Sequence, residues 1–193
     1  MKTILTSILV TITLMTTAQD EKKSLFEKSN HIGGFGGSSL IINEDGEYII
    51  GGEGAWIFSN FYFGGFGYGK DLGNYYSNEQ DKNYDVTHSA GGLLIGAFSN
   101  TTNRFALYTE TRIAFGDIVA RLETAPNNFE EFSDNTLNIT PIAGLTLTPT
   151  DFIQFRVFGG YQFASKVDLA GIGNDPIQGA VFGFGIFFGA FNY

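Results

Sequence analysis

Four charged residues lie within otherwise apolar, glycine-rich stretches of this chain: Glu53, Glu110, Arg112 and Arg156. Two acids and two bases in such surroundings can neutralise one another as a buried ion-pair network, or line and gate a narrow ion path. The structural role is the leading reading for them, and conduction is the rival. A second group is His88, flanked as Thr87-His88-Ser89. A histidine base needs a hydroxyl nucleophile within hydrogen-bond reach. Neighbouring residues of a strand point to opposite faces, so Ser89 cannot serve His88, and a distant serine such as Ser77 would have to approach it. A third group is acidic: Asp71, Glu79, Asp81, Asp85, Asp117, Glu123, Glu130, Glu131 and Asp134 crowd the polar connectors. Carboxylates suit divalent cations, and Asp81-Lys82-Asn83-Tyr84-Asp85 begins like a calcium loop. Val86 and Gly92 stand where an EF-hand needs its Gly and Glu, so a solvated acidic surface is the default.

The elements that must position these groups read as strands. Runs rich in Gly, aromatic and β-branched residues recur at about 32–43, 47–58, 61–70, 84–98, 103–116, 136–148, 151–163 and 177–193, and none holds a helical period. Period two sorts four of them. Phe105, Leu107, Thr109, Thr111, Ile113 and Phe115 oppose Ala106, Tyr108, Glu110, Arg112 and Ala114; Ile153, Phe155, Val157 and Tyr161 oppose Gln154, Arg156, Phe158 and Gln162. Likewise Leu137, Ile139, Leu145 and Leu147 oppose Asn138, Thr140 and Thr146, and Tyr48, Ile50, Trp56 and Phe58 oppose Glu47 and Glu53. The glycine-heavy runs one, three and four have no readable facing. Run eight carries aromatics on both parities, which points to a register-switching bulge. Short connectors such as Ser59-Asn60 and Pro149-Thr150 alternate with long polar ones at 71–83, 117–135 and 164–176, the signature of a meander with tight turns at one end.

Which face points outward follows from the charge count. Of 193 residues only 16% are charged, while Gly (26), Phe (20) and Tyr (9) are abundant. A soluble barrel needs charges over its exterior, and four strand charges cannot supply that coat. Inverted, with the apolar faces in lipid and the charges in a polar lumen, the pattern is consistent, and a sheet in lipid must close to satisfy its edges. Eight strands leave an interior just filled by side chains, which argues against a wide pore. The expected fold class is therefore all-β, a closed eight-stranded antiparallel up-and-down transmembrane β-barrel over residues 32–193. Residues 1–18, with Lys2, an apolar stretch from Ile4 to Met15 and a small-residue end at Ala18, read as a signal peptide, and 19–31 as a polar tail. The absence of Cys excludes thiolate metal sites and disulfides. A net charge of -9 argues against nucleic acid as a partner. The glycine runs lack the Gly-Lys-Ser/Thr ending and following helix of a phosphate loop, and no cofactor motif is present.

These features together resemble the small eight-stranded outer-membrane barrels, such as the OmpA transmembrane domain and OmpX, and more loosely the outer-membrane barrels of Bacteroidetes-type bacteria. The resemblance covers Ile32 to Tyr193 and implies export to the outer membrane of a Gram-negative bacterium. It implies contact with outer-membrane lipid, and insertion by the barrel-assembly machinery through a terminal aromatic signal, here Phe191 and Tyr193. It further implies that Glu53, Glu110, Arg112 and Arg156 act as a luminal plug or gate. The expected function is non-enzymatic: a filled barrel in a structural or surface-interaction role, its acidic loops open to divalent cations or an extracellular ligand. A small ion-conducting pore and a lipid-modifying enzyme using His88 are the alternatives.

Overall fold

A computed structural model of the chain describes residues 32–44, 46–77, 81–99, 104–125, 128–165, 167, 169 and 177–191. Residues 1–31, where a signal peptide and a polar tail are expected, and Tyr193 lie outside the described residues. Eight strands run β1 (Ile32–Asn43), β2 (Tyr48–Phe58), β3 (Phe61–Ser77), β4 (Lys82–Phe98), β5 (Phe105–Ala125), β6 (Asn128–Thr150), β7 (Ile153–Ala164) and β8 (Gly179–Gly189). Each pairs antiparallel with the next, and β1 pairs with β8, from Phe35 opposite Gly189 to Asn43 opposite Val181, closing the ring. Closure leaves no sheet edge in the spanning part, as a hydrocarbon environment demands.

The parity reading holds in runs two, five, six and seven. Trp56, Phe105, Phe115, Leu145 and Val157 face out; Glu53, Glu110, Arg112, Asn138, Thr146 and Arg156 are buried within the ring. The structure supplies the facing of the glycine-rich strands: Phe35, Ser39 and Ile41, then Tyr62 and Lys70, then His88 and Leu94, are buried inside. A bulge in run eight is not found. The β7–β8 and β1–β8 registers are unbroken, so Phe182, Phe184, Ile186 and Phe188 lie outside while Phe187 and Phe191 turn inward. The apolar exterior, with Trp56 62%, Phe105 70% and Leu93 72% exposed, is far beyond what a water-facing surface carries, and it forms the belt for lipid.

Two connector readings are corrected. Residues 71–83 and 117–135 are not loops: β3 and β4 are joined only by residues 78–81, and β5 and β6 only by 126–127. The strands run on beyond the belt because alternation continues there with polar residues outside. Leu72, Tyr84, Val86, Ile118, Ala120 and Leu122 form an inner apolar cluster with Val167, Leu169 and Ile177 of the β7–β8 connector, while Asp85, Arg121 and Glu131 align across the outer face. Much of the acidity expected in loops thus belongs to strand extensions. The Arg121–Glu131 pair, 2.7 Å and half exposed, contributes under about 1 kcal/mol. The extensions, Glu44, Glu47 and Ile177 lie at the upper end. The turns at 59–60 and 151–152, with Ser99 and Arg104, lie at the lower end, as do the first residue of β1 and the last of β8. The outer surface of β3–β6 becomes polar at the row Ser89, Asp117, Asn135, which marks the top of the belt there.

Candidate functional site

β2, β5 and β7 each turn one parity inward, and this brings the four sequence-selected charges together in the lower half of the lumen. Arg112, between them, donates through Nε to Glu110 Oε1 at 2.5 Å and through its Nη2 to Glu53 Oε2. Arg156 sits farther from the carboxylates, with Nη1 3.5 Å from Glu53 and 3.8 Å from Glu110. Tyr62, from β3, donates its hydroxyl to Glu110 Oε2 at 2.9 Å. The four charges sum to zero. Each acid contacts both bases, which is the arrangement that makes buried charge tolerable.

Parity alone did not show what holds Arg156. Its Nε donates to Gln154 Oε1 at 2.8 Å, and Gln154 Nε2 donates to Thr148 Oγ1 at 3.1 Å. Five rings surround the guanidinium: Phe35 at 4.1 Å, Phe187 at 4.4 Å, and Tyr62, Phe98 and Tyr108 each at 5.3 Å. Its Nη2 is buried with no hydrogen-bond partner, and the ring faces are the negative surface available to it. Phe191 stacks on Phe35 at 6.1 Å, extending this aromatic packing toward the lower end, while Phe66 and Phe158 flank Arg112 at 5.4 Å each. The expectation of a polar lumen is therefore revised: the quartet is embedded in an aromatic collar. Inward glycines make room for the inward rings: a Cβ at Gly96 would meet the Tyr62 ring at 2.2 Å and one at Gly183 the Phe158 ring at 2.2 Å.

A fifth luminal charge comes from the last residue of the third run. Lys70 is 5% exposed and pairs with Glu47 at 2.6 Å. It lies opposite His88 across the β3–β4 ladder, and His88 Nε2 is 3.2 Å from Thr136 Oγ1 and 3.4 Å from Asn138 Nδ2. His88 thus faces the upper lumen. Ser89 points outward, as expected. Ser77 pairs with Lys82, seven residues along β3 from Lys70, a backbone separation of more than about 20 Å from His88. That spacing keeps Ser77 away from His88. Two cavities in the lumen, one beside Lys70 and His88 and one beside Tyr68 and Arg112, hold about 10 Å³ each, the room of a single water.

The N-terminal β-barrel domain of OprF from Pseudomonas aeruginosa superposes with a TM-score of 0.54 at 12% identity, over 84% of this chain and 99% of that one. The fold is that of the small outer-membrane barrels. Neisserial surface protein A also resembles the chain, with a TM-score of 0.47 and 12% identity over 82% of this chain and 92% of its own. The attachment invasion locus protein Ail of Yersinia pestis does so with 0.46 and 13% over 82% and 95%. No protein-family model and no curated protein matches the sequence. At such low identity the likeness concerns the barrel alone.

Proposed function

We propose that the chain is a non-enzymatic integral outer-membrane barrel whose lumen is plugged by side chains, and which acts structurally or through its projecting upper surface. The observation that carries this reading is the quartet of Glu53, Glu110, Arg112 and Arg156 packed inside the aromatic collar, beside two luminal cavities of water size. A conducting path would need a continuous wet channel. Export through residues 1–18 and insertion by the barrel-assembly machinery belong to the same reading. Since the Phe191 ring is buried inside the finished barrel, its recognition by that machinery would precede closure. The outward acids Asp85, Asp117 and Glu131 on the extensions are the surface open to divalent cations or an extracellular ligand.

Planar-bilayer recording tests the plug. The expected result for the wild type is no discrete conductance, whereas steps abolished by Glu53→Gln or Arg156→Gln would overturn the filled lumen. Membrane fractionation tests location: the protein should resist urea extraction and migrate differently on gels before and after boiling. Recovery in the soluble periplasm would defeat the reading.

A further inference from the structure

The quartet closes the lower lumen, but it leaves the upper polar cluster without a role. There His88 is 2% exposed and belongs to a set of ties that reach across strands which are not neighbours in the sheet. Asn138 of β6 donates to the Tyr68 hydroxyl of β3 at 3.3 Å and approaches His88 of β4 at 3.4 Å, while Thr136 of β6 meets the same ring at 3.2 Å. β5 lies between β4 and β6 in the ring, so these contacts bind the upper wall across the lumen. Gln162 of β7 extends the set by donating to the Ile177 carbonyl of the β7–β8 connector at 2.6 Å. Ile177 and Gln178 line the same small cavity as Lys70 and His88.

The charged groups around His88 are unevenly placed. From β3 comes the Lys70 ammonium, whose carboxylate partner, Glu47 of the β1–β2 connector, is already engaged at 2.6 Å. From β3 also comes the Tyr68 phenol, its ring 5.6 Å from the imidazole. β5 contributes Asp117, one register position away on the outer face; β6 contributes the neutral Thr136 and Asn138 and, two residues farther up on the same parity, the Asp134 carboxylate, which accepts from the Asn135 amide; β7 contributes the neutral Gln162. Burial and the Lys70 ammonium both disfavour a second positive charge here, against a weaker opposing pull from Asp117. An imidazolium would also lose the acceptor capacity of Nε2.

We propose that this cluster is an acid-sensitive latch: protonation of His88 beside Lys70 parts its ties to Thr136 and Asn138 and admits water to the upper lumen, while the aromatic collar below stays shut. The sign follows from linkage. In the opened upper barrel the ring takes a proton at its ordinary value of about 6.5, whereas the closed barrel resists it. Opening is therefore insensitive to pH above that value and grows by about tenfold per unit as pH falls below it. A variant that removes only the imidazole separates the histidine from any carboxylate.

Hydrogen exchange of the full chain in lipid nanodiscs, corrected for intrinsic rates and followed by peptide mass spectrometry from pH 7.5 to pH 5, tests this. Peptides spanning 84–90 and 134–138 should gain about tenfold in opening per unit below pH 6.5. Peptides holding Glu53, Arg112 and Arg156 should not change. His88→Gln, which keeps a hydrogen-bonding side chain but cannot ionise, should flatten the dependence. Should that variant fail to insert, Lys70→Met serves. With the ammonium gone the closed barrel accepts the proton more readily, and the total gain between pH 6.5 and pH 5 should be smaller than in the wild type, burial keeping part of it. A wild-type profile flat over this window, or an undiminished gain in either variant, would overturn the latch. Exchange rising equally in the lower lumen would do so too.

Discussion

Arg112→Met should lower the stability of the barrel by about 3–5 kcal/mol, the range for breaking a buried ion pair from one side. It is the largest single-residue electrostatic effect expected in this chain. Arg112 supplies the short contacts to both Glu53 and Glu110, while Arg156 stands 3.5 and 3.8 Å away and is held in place by five rings and Gln154. Removing Arg112 leaves two carboxylates side by side with one distant base. Urea or guanidinium titration in detergent or lipid, read by the gel shift of unheated samples, measures the loss. Adding Glu110→Gln to Arg112→Met should recover much of it, because Glu53 and Arg156, 3.5 Å apart, then remain as a balanced pair. If Arg112→Met left the midpoint unchanged, the quartet would not be an energetic unit.

The second large effect is steric. At Gly92 on β4 an added Cβ would stand 1.9 Å from the Ile113 carbonyl oxygen and 2.7 Å from the Ala114 Cα on β5. Both are backbone atoms, so nothing can rotate aside and the two strands must separate. Gly92→Ala should cost at least the roughly 1–3 kcal/mol of an overpacked interior and should reduce the inserted fraction. Gly67, in a neighbouring strand but facing out, is the control: a Cβ there would come no closer than 3.8 Å to the Ala90 carbonyl. Gly67→Ala should be neutral or stabilising by about 0.4–1 kcal/mol through the unfolded chain. Equal behaviour of the two variants in the same unfolding experiment would contradict the close β4–β5 approach.

These two positions show where reading the sequence stops. Arg112 could be placed in the lumen from period two alone, because Ala106, Tyr108, Glu110 and Ala114 share its parity against an apolar opposite face. Gly92 could not, because glycine on both parities removes the contrast on which parity depends. For the same reason the inward facing of Lys70 was not readable: Gly67 and Gly69 before it carry no signal, and the polar residues after it looked like a loop. The extension of β3–β6 was hidden by a change of solvent along a single strand. Below Asp117 the outward residues meet lipid and are apolar, and above it they meet water and are polar, while the inward row of Ile118, Ala120 and Leu122 continues the strand. The alternation of long and short connectors was a poor guide, since only the β7–β8 connector is long.

By itself the sequence determined that this chain closes into an eight-stranded barrel with its apolar faces outward and Glu53, Glu110, Arg112 and Arg156 inside. Those are consequences of alternation and of too few charges to coat a barrel in water, and both are local properties of a strand. The partners of each charge were decided only by the tertiary structure. Ring closure brings Phe35 of β1, Tyr62 of β3, Tyr108 of β5 and Phe187 of β8 around the guanidinium of Arg156, and His88 of β4 against Thr136 and Asn138 of β6. Contacts of this kind depend on the height of each residue along the barrel axis, which is set by the register between strands and by the curvature of eight strands around a narrow lumen.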